Sequence, residues 1–118
     1  MSQKWVQLLT AILRSSGQGQ IDWKETSNDD SFQTTLGGHV VEIEYVEFLN
    51  DFTVRVFDSH GKVADVFNND DMRRLTGESW LNEIGELVQN IRRRISGAEQ
   101  VLDDVLQALA KKDEEIPF

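Results

Sequence analysis

Cysteine is absent from this chain of 118 residues, which removes a disulfide framework, thiolate catalysis and Cys-ligated zinc together. A chain of this length forms one domain and buries roughly two thirds of the surface its unfolded form exposes, so it needs no covalent staple. No apolar run approaches the about 20 residues of a membrane span. The opening Met1-Ser2-Gln3-Lys4 and the Trp/Val/Leu pattern after it, broken by Gln7 and Thr10, lack the apolar core and small-residue cleavage site of a signal peptide. A reducing, cytoplasmic location is therefore expected. A phosphate-binding loop is missing too: "SSGQGQ" at 15–20 has two glycines but leads into strand-like residues, without the helix start and Lys-Ser/Thr that phosphate binding uses.

What the chain does have is acid. Its net charge is −9, and between Ile21 and Asp71 there are 12 acidic and 3 basic residues, while the two flanks together hold 9 of each sign. That middle segment repels phosphate backbones and anionic membranes. Nucleic acid and membrane are thus not expected partners, and a protein with a basic surface is.

Periodicity divides the chain into a leading helix, a meander and trailing helices. Trp5, Leu8, Leu9, Ile12 and Leu13 recur at helical spacing, and Ser15 to Gly19 breaks the run. From Phe32 the period becomes two. "VVEIEYVEF" sets Val41, Ile43 and Tyr45 against Glu42, Glu44 and Val46, and "FTVRVFD" sets Phe52, Val54 and Val56 against Thr53, Arg55 and Phe57. Reading Asn50-Asp51 as a two-residue turn puts Tyr45 opposite Val56, Val46 opposite Arg55 and Glu44 opposite Phe57. "DSHGK" closes the next hairpin with Gly61 at positive φ, "KVADVF" returns as a strand, and Ile21 to Trp23 adds an edge strand. Asn68 to Asp71 is a helix-start cluster, with a short turn of helix before Gly77.

Beyond Glu78, Trp80, Ile84, Leu87, Val88, Ile91 and Ile95 form a stripe with acid early and Arg92-Arg93-Arg94 late, matching the helix dipole at both ends. Ser96-Gly97 interrupts. A last helix to about Lys112 then carries Ala98, Val101, Leu102, Val105, Leu106 and Leu109. The expectation is a single α+β domain over 1–118: helix to residue 16, an antiparallel meander of four to five strands over 20–67, helices over 70–112 packed on one sheet face, and a tail over 113–118. Four short strands cover about two helices, given strand spacing near 4.8 Å and helix diameters near 10 Å. The last helix is therefore expected to form an oligomer interface through Val101, Leu102, Val105, Leu106 and Leu109, most simply a homodimer.

Candidate chemistry is sparse. Trp23 reads as core covering the sheet edge. Asp29-Asp30 lies among turn formers and falls short of the six or more oxygens calcium requires. Ser59 and His60 are sequence neighbours, whereas a Ser–His dyad needs facing side chains and a third orienting group. His39 and His60 stand at hairpin tips on the same end of the meander, the sole arrangement that suggests a shared metal; turn residues are the simpler reading. No catalytic, cofactor or metal residue is expected. Arg92-Arg93-Arg94 reads as a basic last turn, with an anionic partner as the alternative. The mixed outer sheet face, Glu42, Glu44, Val46, Arg55 and Phe57, is the expected partner-binding patch, and the tail Ile116-Pro117-Phe118 reads as a frayed end or a short docking peptide.

Gly19-x-Ile21-x-Trp23-x-x-Thr26, followed by Phe32-x-Thr34-x-Leu36 and the Asp58-x-x-Gly61 turn, resembles a pattern of small uncharacterised bacterial α+β proteins over the first two thirds of the chain. The resemblance implies a fold and no activity. The expected function is a non-enzymatic, acidic protein-interaction module of a bacterial cytoplasm, immunity-, antitoxin- or chaperone-like. The alternatives are a small enzyme or ligand-binding domain with a pocket between sheet and helices, and an oligomerisation module of a larger assembly.

Overall fold

A computed structural model describes residues 3–115; the tail reading at Ile116 to Phe118 lies outside the described residues. Helix α1 (Gln3–Gly17) is followed by strands β1 (Lys24–Glu25), β2 (Ser31–Leu36), β3 (His39–Val46), β4 (Asp51–Phe57) and β5 (Val63–Asn68), then by helices α2 (Asn69–Thr76), α3 (Leu81–Ser96) and α4 (Ala98–Glu115). The strands pair in sequence order, each antiparallel to the next. This is the α+β meander that the periodicity predicts. Among the described residues no helix is long and apolar enough to cross a membrane.

Alternation along each strand gives the sheet two unlike faces. On the inner face Phe32, Ile43, Val54 and Phe67 form one row across four strands, each at most 4% exposed. Leu9 and Ile12 of α1, Met72 of α2, and Ile84, Leu87, Val88 and Ile91 of α3 complete the same buried cluster. Trp5 fixes α1 on this face: its ring stacks on Phe67 with centroids 4.9 Å apart, and its Nε1–H donates to Asp65 Oδ2 at 2.8 Å. Trp23 is buried, and its Nε1–H donates to Ser16 Oγ at 3.0 Å, which ties the connector to the end of α1. Gly85 lets α3 lie against the sheet, because a Cβ there would come within 3.1 Å of the Tyr45 hydroxyl oxygen.

Three sequence expectations are corrected. The edge strand is Lys24–Glu25, not Ile21 to Trp23, because the inner-facing Ile21 and Trp23 are drawn into the core. The β3–β4 connection is not a two-residue turn: Glu47–Leu49 forms a turn of 3-10 helix and Asn50 takes the left-handed conformation, φ 51, which Asn tolerates better than most residues. Tyr45 therefore pairs with Phe52, and Val46 with Asp51. This partner is four residues from the expected one, and an even displacement leaves every side chain on its predicted face. Lastly, α3 lies on the sheet while α4 leaves it: from Glu99 to Lys112 every residue is exposed, and the molecule extends over 67 Å.

The helix-start cluster closes as a capping box. Asn68 Oδ1 accepts from Asp71 N and Asp71 Oδ2 accepts from Asn68 N, both at 3.0 Å. The adjacent Asn69 is 4% exposed and links two helix starts: its Oδ1 accepts from the Trp80 N–H at 2.8 Å, and its Nδ2 donates to Ser79 Oγ at 3.3 Å. Asn69→Ala deprives the Trp80 N–H of its acceptor in a partly buried setting. The expected cost is about 1–3 kcal/mol, read as a lower urea midpoint.

Candidate interaction surface

Two surfaces carry side chains that the core does not use. The first is the outer sheet face. Arg55 sits directly across from Glu42 and donates from Nη1 to Glu42 Oε1 at 2.8 Å and from Nη2 to Glu44 Oε1 at 3.3 Å. Asn28 Nδ2 donates to the other oxygen of Glu44 at 2.6 Å. The three charged side chains are 20–32% exposed. One cation between two anions leaves a single net negative charge, and both carboxylates already have donors. Their pull on a basic partner is correspondingly modest.

The corrected register also splits this face. Val46 pairs with Asp51 beside the turn, whereas Phe57 pairs with Val63 at the far end of β4. Five residues of strand lie between Asp51 and Phe57, six steps that span roughly 20 Å at the rise of an extended chain. The structure thus brings Glu42, Glu44 and Arg55 together and separates Val46 from Phe57, whose strand partner is the exposed Val63. A one-residue shift would have exchanged the two faces, whereas an even shift keeps them, and nothing in the alternating pattern distinguishes registers that differ by an even number.

The second surface is α4. Val101, Leu102, Val105, Leu106 and Leu109 are 48–62% exposed, and at 100° per residue they fall on one side of the helix with Asp103, Asp104 and Lys111 on the other. Gly97, at φ 66, ends α3 by donating its N–H to the carbonyls of Arg93 and Arg94. The Arg93–Glu99 ion pair spans the corner where α4 begins. The sequence reading that left this helix without room on the sheet is matched by where it lies. All five oligomer-interface candidates share one stripe.

A groove of about 550 Å3 opens at the foot of α4, floored by Leu13, Trp23, Leu87 and Ile91. Sequence reasoning missed it. The stripes of α1 and α3 were visible, but the gap between two helices is set by how they sit on the sheet, which periodicity does not report.

His39, Asp58 and Asp30 each make a polar contact within the chain. His39 Nδ1–H donates to the Phe57 carbonyl at 2.9 Å across the β3–β4 hairpin. Asp58 Oδ1 accepts from the His60 and Lys62 amides at 2.8 and 3.0 Å, and Gly61 has φ 80 as the turn requires. Asp30 lies 3.5 Å from Arg92, whose guanidinium stands over the Phe32 ring at 5.7 Å. Among the described residues no group of three or more His, Cys, Asp or Glu side chains is placed to hold a metal ion. Comparison with known proteins gives no matching family model, no similar curated protein and no similar solved structure.

Proposed function

We propose that this chain is a non-enzymatic protein-interaction module of the bacterial cytoplasm, an α+β body that presents α4 as its interface. The observation that carries the reading is the exposure of five large apolar residues on a single helix face. A contiguous apolar surface of this kind is a liability in a free monomer and is characteristic of a protein contact. The outer sheet face is secondary, because its charges are largely satisfied within the chain. The absence of cysteine is compatible with the reducing compartment this reading requires.

Leu102→Asp combined with Leu106→Asp tests it. Both residues are exposed, so the body is expected to keep its unfolding free energy, read by urea titration, within about 0.5 kcal/mol. Two carboxylates in the stripe should at the same time abolish association, whether with itself or with a supplied partner, as followed by light scattering. A variant that associates as the parent does would sink the proposal.

A further inference from the structure

The structure leaves one amphipathic helix uncovered and one groove unfilled, and the two are joined by a single residue, Gly97. We infer that the occupant of the groove is α4 of a second copy of this chain, so that two protomers exchange their last helices and meet at their Gly97 corners. The inference rests on α4 being the interface, and it names the partner.

Three observations favour a second copy. First, an antiparallel helix pair within one chain needs a connection of about two to five residues. Gly97 alone separates Ser96 from Ala98, so α4 does not fold back on its own α3. Second, the charges match when a partner α4 runs antiparallel to α3. Glu83 and Glu86 border the groove early in α3, and Arg93 and Arg94 border it late. α4 carries the same order, with Asp103 and Asp104 before Lys111 and Lys112, but of these four only Lys112 falls on the stripe side of the helix at 100° per residue. Antiparallel packing of the stripe into the groove therefore sets Lys112 near Glu83 and Glu86, while Asp103, Asp104 and Lys111 stay on the outer side of the helix.

Third, the area is of the right size. Eighteen helical residues make a strip about 27 Å long and 10 Å wide. Counted on both sides of the contact and in both grooves, this comes to roughly 1,100 Å2, close to the about 1,200 Å2 at which specific interfaces begin. Contacts between the two corners add to it.

Because the chain has no cysteine, an engineered pair reports on this contact cleanly. Asn90 borders the groove and Leu106 lies in the stripe, both exposed, so Asn90→Cys with Leu106→Cys leaves the core intact. On mild oxidation the double variant is expected to run as a covalent dimer on a non-reducing gel, and neither single variant should. An intrachain disulfide in a monomer would overturn the inference in favour of self-folding, and a dimer formed by Leu106→Cys alone would overturn it in favour of α4 against α4.

Charge reversal gives a second readout. Glu83→Lys/Glu86→Lys and Lys112→Glu are each expected to weaken the dimer about threefold, and their combination to restore it. Loss with the α4 reversal but none with the α3 reversal rejects the groove and leaves α4 as the interface. A monomeric wild type at 100-micromolar order rejects the second copy; if Leu102→Asp/Leu106→Asp then also fails to disturb binding of any supplied partner, the function proposed for α4 falls separately.

Discussion

Phe52→Ala is expected to remove about 3–5 kcal/mol of folding free energy, a third or more of what a domain of this size commonly has. Phe52 is 1% exposed and packs among the inner-face side chains of the sheet. It is also the residue directly across from Tyr45, immediately after Asp51, whose Oδ1 accepts the Phe52 N–H at 2.8 Å. Truncating it opens a cavity between β4 and the helices that a β-sheet, locked by its ladder, closes only in part. The urea midpoint should fall with little change in slope, since the surface exposed on unfolding barely changes. Leu106→Ala supplies the contrast. It deletes a side chain of similar chemistry, but one that is 62% exposed, and should change the unfolding free energy of the monomer by less than about 0.5 kcal/mol. Equal effects at the two positions would contradict the division of this molecule into a packed body and a projecting helix.

That division was partly legible in the residues. Alternation reports parity: it tells which side chains share a face, and Val41, Ile43, Tyr45, Phe52, Val54 and Val56 do share one. Parity does not report register. The Val46-Glu47-Phe48 segment inverts the phase of the alternation after Tyr45, and Glu47–Leu49 turns as 3-10 helix with Phe48 84% exposed; that break in phase marks where the strand ends but does not fix the length of the connection. The consequence reached the candidate site, because the outer-face patch was assembled from the wrong neighbours. Helix assignments were firmer, since capping residues such as Asn68 and Asp71 and the Gly97 break act locally. The isolation of α4 was legible for another reason: a sheet this narrow has a finite area, and counting amphipathic faces against that area leaves one over. The groove was not legible, because it depends on the lateral spacing of α1 and α3.

A protein whose last helix is covered only by association should melt at a temperature that depends on its concentration. Among the residues whose burial is described, none of the buried core lies in α4, so the body's intrinsic stability is expected to be the same with or without it, whereas association adds free energy by mass action. Protein at about 100 times the dissociation constant gains about 2.7 kcal/mol over the free monomer, which for a domain of this length corresponds to a rise in Tm on the order of 5–15 °C. Ending the chain after Gly97 should remove that dependence entirely and leave a single Tm equal to the dilute limit of the full chain. Scanning calorimetry from micromolar to near-millimolar concentrations separates the cases. If the shortened chain melts far below the dilute full-length protein, α4 supports the body through contacts the fold does not show. If the full chain melts at one temperature throughout, its exposed stripe is waiting for a different protein rather than for its own copy.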